Sequence, residues 1–307
     1  SRREEPAKVI GRVSHPCRPQ VVDLDGAGLR DVLVCNLGEF MPLDTDKGSL
    51  VWLRNRGQGR FENLVLIDKL SRVADVQAVD CDGDGDLDIV LAAFGQITTG
   101  GILYLENCTK DWSHPDFEAI PLDTRAGASD VHVVDLNRDG HPDFVALVSQ
   151  EHEHVVALLN RGWGSFRQET IYKAPHCAWA SVGIRLLDLN GDGKMDVLLA
   201  NGDQVEIPPV LRPYHGLAWL ENRGQFPFTY HRLTPMPGAH TILPADLDGD
   251  GRLDIVSSAF IPALDPRRAE AGKLDSVIWL RQTSPGRFTR YSLETGTPFH
   301  PVGDVGD

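Results

Sequence analysis

The chain has 307 residues, 41% of them hydrophobic, enough to bury a sizeable core. Its formal charge of −14, from 44 acidic against 30 basic residues, argues against nucleic acid as a partner. No apolar run reaches transmembrane length, so no membrane insertion is expected.

In chain order, Val9 to Val13 reads as a short strand, and an acidic loop follows from Asp23 to Asp31. Its positions 1, 3, 7 and 9 are Asp23, Asp25, Leu29 and Asp31, with Ala27 where a third acid is expected at position 5. The pattern then recurs in full as D-x-[DN]-x-D-G-x-x-D. The second copy offers Asp80, Asp82, Asp84, Asp86 and Asp88, and the third Asp135, Asn137, Asp139, His141 and Asp143. The fourth holds Asp188, Asn190, Asp192, Lys194 and Asp196, and the fifth Asp246, Asp248, Asp250, Arg252 and Asp254. The first aspartates lie 57, 55, 53 and 58 residues apart, a period that marks a repeat architecture.

Side-chain oxygens at positions 1, 3 and 5, glycine at 6 for a sharp turn and a backbone carbonyl at 7 make a calcium cradle. The closing acid falls at position 9. Position 12, where an EF-hand places its glutamate, holds Val34, Leu91, Ala146, Leu199 and Ser257. Short β-branched runs such as V-Q-A-V and D-I-V-L-A flank the loops, which therefore join strands, not helices. Each copy could hold itself by Asx hydrogen bonds alone. Five copies in register that each crowd three or four carboxylates together instead point to about four to five bound ions, and hard oxygen donors favour Ca²⁺.

After each loop comes a second signature: V-W-L-R-N-R-G-Q-G-R-F ending at Phe61, a degraded copy from Gly101 to Phe117, and further copies ending at Phe166, Phe228 and Phe288. Each reads as a strand, a turn and a fourth strand opened by Phe. Trp52, Trp219 and Trp279 read as packing between neighbouring sheets. The unit is four antiparallel strands, and such units stacked radially make an all-β propeller. The acidic loops and this signature resemble the FG-GAP/VCBS repeats of integrin α-chain heads and secreted bacterial proteins. That resemblance implies a calcium-loop β-propeller and leaves activity open, since the family includes adhesins, lectin-like binders and a few sugar-active enzymes.

Five blades fit about 14–69, 70–126, 127–177, 178–234 and 235–295, with 296–307 as the start of another. The simplest account of the two ends is a piece of a ring of six to eight blades, most simply seven, in a parent with possible fused domains. A closed five-bladed ring is the alternative. Five cysteines sit at non-equivalent repeat positions and dictate no pairing. Weak calcium sites fill only outside a cytosol, so an extracellular or periplasmic location is expected. Asn107-Cys108-Thr109 is a glycosylation sequon of consequence only in a eukaryotic secretory pathway.

Ligand binding is expected on the loops between strands 2 and 3, opposite the acidic loops. The long ones are Gly38 to Ser49, Asn201 to Gly216 and Ile261 to Asp275. The leading reading is a binding or adhesion module for a protein or glycan. The rival is a sugar lyase or dehydratase with His132, Arg185, His240 and His300 converging at the channel mouth. Gln20, Gln77, His132 and Arg185 share one offset, three residues before the first Asp. The tract from Glu151 to His154 reads as a short solvated loop, not a zinc site.

Overall fold

The computed structural model describes residues 8–203, 209–262, 271–301 and 303. It contains five four-stranded antiparallel sheets, and in each the strands follow in chain order. The first comprises β1 (Pro16–Val22), β2 (Asp31–Asn36), β3 (Gly48–Asn55) and β4 (Phe61–Leu70). The second is β5 (Arg72–Val79), β6 (Asp88–Phe94), β7 (Gly101–Asn107) and β8 (Phe117–Asp123). The third is β9 (Ala128–Val134), β10 (Asp143–Val148), β11 (His154–Asn160) and β12 (Phe166–Lys173). The fourth is β13 (Ser181–Leu187), β14 (Asp196–Asn201), β15 (Gly216–Glu221) and β16 (Thr229–Pro235). The fifth is β17 (Leu243–Ala245), β18 (Asp254–Ser258), β19 (Asp275–Ser284) and β20 (Arg287–Thr295). Helical geometry among the described residues is confined to the turns Cys177–Trp179 and Ala271–Lys273, so no helix flanks an acidic loop.

Middle strands read as unbroken apolar runs because both of their faces are covered. β14 is buried throughout. Its alternate residues face opposite ways: Val197 and Leu199 join a cluster with Val145, Leu147 and Ile184, while Leu198 and Ala200 join Ile255, Ile278 and Leu280. The same alternation sends Ala218 and Leu220 of β15 to the first cluster and Leu217 and Trp219 to the second. Outer strands are more exposed, and β20 has no fully buried residue. Trp52 is fully buried among Leu33, Leu50, Ile89 and Leu91, and Trp279 stacks on Tyr291 at 5.0 Å between ring centres.

The chain divides into two compact units, residues 1–133 with 140–144 and 160–167, and residues 134–139 with 145–159 and 168–307. The first unit is centred on the cluster around Trp52, the second on the two clusters that share β14. No helix among the described residues is long and apolar enough to cross a membrane.

The expectation at the N-terminal end needs revision. Val9 to Val13 forms no strand. It lacks a neighbouring ladder and is held instead by Val13 packing near Val34, Val51 and Leu53 and by Asn63 Nδ2 donating to the Arg12 carbonyl at 3.1 Å. Of the strand expected after residue 296, Phe299 makes a single bridge to Phe260, and residues 302 and 304–307 lie outside the described residues.

Candidate functional site

Every acidic loop joins the first and second strands of its blade and folds around its first aspartate. Asp80 Oδ1 accepts from Gly83 N at 2.7 Å and Oδ2 from Gly85 N at 3.1 Å. Asp188 and Asp246 repeat that grip on Gly191 and Gly193, and on Gly249 and Gly251, at 2.7–2.8 Å. The grip needs a left-handed backbone at positions 4 and 6, where Gly191 and Gly193 have φ of 75° and 83°. Position 3 accepts from the amide of position 5, as Asp82 does from Asp84 N at 3.1 Å. The loops are thus chains of Asx turns.

The position 9 acids face inward and are almost fully buried: Asp31, Asp88, Asp143, Asp196 and Asp254 are 0–1% exposed. One oxygen of each accepts a backbone amide at or near the end of the third strand, from Asn55, Asn107, Asn160, Asn222 or Gln282, at 2.6–2.8 Å. In the first, second and fourth loops the other oxygen accepts from position 2: Leu24, Cys81 or Leu189, at 2.9–3.3 Å. Tyr104 OH and Trp279 Nε1 add donations to Asp88 and Asp254 at 3.0 and 2.9 Å. The side chain that ends the third strand closes the latch, Asn107 Nδ2 donating to the Leu87 carbonyl at 3.0 Å and Asn222 Nδ2 to the Met195 carbonyl at 3.1 Å. Asn107 is therefore a buried structural residue, its side-chain amide committed to the Leu87 carbonyl, while Cys108 beside it is exposed. The sequence marks position 9 as a metal ligand, but its hydrogen-bonding duty is visible only in the structure.

At three loops the predicted ligands gather closely: one oxygen from each of Asp23, Asp25 and Asp31, of Asp80, Asp82 and Asp88, and of Asp246, Asp248 and Asp250 lie within 4.8 Å of one another. Ala27 does not prevent the first grouping. Asp23 Oδ1 and Asp86 Oδ1 are buried without a hydrogen-bond partner. Burial, then the nearby Asp84, Asp88 and Asp82, pushes the Asp86 carboxyl up to about 6. Oxygen-only donors, crowded negative charge and leftover acceptors fit a hard divalent cation. Leu29, His141, Lys194 and Arg252 would offer it only a backbone carbonyl.

On the first strands of the first three blades, Arg18, Asp75 and Asp130 sit five places before the first Asp. Arg18, at φ 38° in a β-bulge, sends Nη1 to Asp75 Oδ2 at 2.8 Å and to Asp130 Oδ1. Asp75 also accepts from Val76 N and Val131 N, both at 3.0 Å. His132 Nε2 lies 3.3 Å from Asp130, which is wholly buried. Burial would raise the Asp130 carboxyl, but His132 and Arg18 hold it below the usual carboxylate range. Burial, against Arg18, pushes Asp75 up to about 6. Of the other proposed channel residues, Gln20 accepts from Ala78 N at 3.0 Å, and Arg185 Nη1 donates to the Ile184 carbonyl at 2.7 Å. His240 and His300 donate their backbone amides to the adjacent Ser258 and Ala259 carbonyls, and His300 Nε2 lies 3.2 Å from Glu294.

Opposite the acidic loops, the 2–3 loops of the first two blades are clasped together. Asp44 accepts from Gln96 N at 2.8 Å, Ile97 N at 3.0 Å and Thr98 and Thr99 Oγ1 at 3.1 and 3.0 Å. Those donors, Ile97 N foremost, hold its carboxyl well below the usual range. Beside the clasp lies a cavity of about 480 Å³ lined by Thr45, Asp46, Lys69, Ser71 and Thr99, with Phe40, Met41 and Ile97 exposed on the same loops. In the other two long loops, residues 204–208 and 263–270 lie outside the described residues.

The loop from Glu151 to His154 contradicts its solvated reading. Glu153 is 2% exposed at φ 49° and accepts Ser181 N at 2.9 Å, and burial pushes its carboxyl up to about 7. Nothing in the local sequence separates it from its exposed neighbour Glu151.

The FG-GAP-like repeat family matches residues 23–91 and 135–199, so the chain carries repeats of the family its motifs resemble. No curated protein sequence matches it. Among solved structures it is similar to an Agrocybe aegerita lectin described for specific recognition of non-reducing terminal N-acetylglucosamine, with 19% identity and a TM-score of 0.52. That likeness covers 94% of this chain and 67% of the lectin. It is also similar to the rhamnogalacturonan lyase YesW, with 12% identity and a TM-score of 0.53, covering 95% of this chain and 54% of the lyase. The chain thus spans about half the lyase's length. At these identities the likeness shows the fold, a β-propeller of four-stranded blades, with five blades in this chain.

Two outcomes follow. Asp88→Asn puts an amide group against donors that need an acceptor, and should cost about 1–3 kcal/mol in urea unfolding measured in chelator; an unchanged midpoint would remove the latch from the account. Glu153, raised from 4.5 to about 7, stabilises fully below about pH 4.5, and that contribution is lost as pH rises through about 7. Glu153→Gln should therefore match the parent melting temperature near pH 4.5 and exceed it near pH 8.5; parallel curves would show that Glu153 ionises freely.

Proposed function

We propose that this chain is a calcium-stabilised binding module of an extracellular or periplasmic protein, with its ligand docking on the 2–3 loops. The observation that carries the reading is the Asp44 clasp, which orders two facing loops around a cavity with Asp46, Lys69 and Ser71 on its wall. A preorganised cavity with polar groups set in a largely apolar wall, which Leu70, Ala93 and Leu103 help to form, binds at low entropic cost. Its size suits one or two sugar rings, and a lectin of the same fold binds a terminal N-acetylglucosamine, so a glycan is favoured over a protein. The Asp and Lys termini supply the directional hydrogen bonds that sugar hydroxyls require.

Calcium in this reading is structural. At the second loop Asp80, Asp82, Asp84, Asp88 and the Asp86 carbonyl would hold it, and the ion would neutralise carboxylates that otherwise repel. One observation favours the rival enzyme reading: His132 Nε2 lies 3.3 Å from the buried Asp130, the kind of carboxylate neighbour a general base uses. Product formation from a sugar panel, lost in His132→Ala with the fold intact, would support it.

Glycan-array binding should fall at least tenfold in Lys69→Ala and Asp46→Ala and leave the sugars unchanged. Binding that survives both substitutions would move the site elsewhere. Separately, one site with a Kd of about 10⁻⁴ M at millimolar calcium stabilises by about 1.4 kcal/mol, so the melting temperature should rise clearly between chelator and calcium. An identical melting temperature in both would exclude a structural role for the ion.

A further inference from the structure

We propose that Arg54 and Arg281 are resident counter-ions that take over the cation's charge in the first and fifth acidic loops, leaving the second loop as the tightest calcium site. The inference rests on the calcium reading above and deepens it. Both arginines occupy the same repeat position, the residue just before the Asn or Gln whose backbone amide the position 9 acid accepts. Both reach the same target, the position 3 aspartate of their own loop. Arg54 Nη2 lies 2.5 Å and Nε 2.7 Å from Asp25 Oδ2, and Arg281 Nε lies 2.5 Å from Asp248 Oδ2.

The Arg54 contact is buried, and the more exposed Arg281 contact belongs to a group of several charges. The Arg54 guanidinium is largely buried, donates Nη1 to the Trp112 carbonyl at 2.5 Å and lies 4.9 Å from the centre of the Trp52 ring. In the fifth loop Arg281 Nη2 also approaches Asp250 Oδ2 at 3.9 Å, and Arg252 pairs with Asp250. These are oxygens that a bound cation would need. A fixed guanidinium supplies positive charge to them and occupies the approach to the cage.

The second blade is the contrast. Glu106 stands in the register of the two arginines, and the loop carries Asp80, Asp82, Asp84, Asp86 and Asp88 with no basic partner to any of them among the described residues. A buried oxygen of Asp86 is left without a donor there, as Asp23 Oδ1 is in the first loop, so the contrast between the loops rests on the missing guanidinium. Calcium affinity rises with the charge of the ligand set, so this loop gains most from the ion. In the fourth blade the pair is weaker, a flexible Lys194 on the exposed Asp192 at 2.9 Å, and Glu221 fills the register position.

Calorimetric titration of the full chain with calcium tests the idea through Arg281→Gln, Arg54→Gln and Glu106→Arg. The two glutamine variants should each gain a calcium bound at least tenfold more tightly than the parent's weak sites, and Glu106→Arg should weaken the tightest site at least tenfold. Calcium binding by the parent with both arginine variants unchanged would overturn the inference alone. Arg281 is exposed enough for its variant to fold whatever becomes of Arg54. No binding by the parent or any variant would overturn the calcium reading and the inference with it.

Discussion

A buried carboxylate held by backbone amides is the interaction on which the rest of this fold depends. In each blade one aspartate closes the acidic loop and accepts a backbone amide at or near the end of the third strand. A single side chain thereby joins the loop, the second strand and the outer hairpin. Charge-assisted hydrogen bonds of this kind are roughly twice as strong as neutral ones, and leaving their donors unmet inside a blade is costly. The period of the chain follows from it, since each blade must present the acid, the Asn or Gln and the glycines at fixed spacing.

The latch also has a consequence for charge. It fixes the remaining acids of the loop at the blade's end, where several oxygens come within 4.8 Å of one another. Crowded carboxylates repel one another, and a positive charge nearby relieves that repulsion. The blades differ in whether the protein provides one, Arg54 and Arg281 in two of them and none in the second. The opposite ends of the blades carry no such burden, so loops there are free to diverge. Asp44 uses the same chemistry, a carboxylate gathering N–H and O–H donors, to turn two of those loops into one surface.

Much of this was legible in the sequence, because the blade's determinants are local. The acidic loops, the strands on either side and the Phe-opened fourth strand all lie within a single repeat. The resemblance to FG-GAP repeats rests on those same residues. Partnerships between blades were harder to read. Arg18, Asp75 and Asp130 look like ordinary strand residues until the repeats are aligned, when they fall at one offset with opposite charges. The burial of Glu153 depends on Ser181 in the next blade, which no local pattern announces. The N-terminal segment had the β-branched composition of a strand and lacked a ladder to join. Ligand identity was the least legible, because the top loops share no repeat from which to infer a role.

The most direct test is a crystal grown in millimolar calcium, with anomalous differences measured at long wavelength. The account predicts a peak among Asp80, Asp82, Asp84 and Asp88, coordinated by oxygen at 2.3–2.6 Å. A second loop holding only water, with its carboxylates still crowded together, would contradict it.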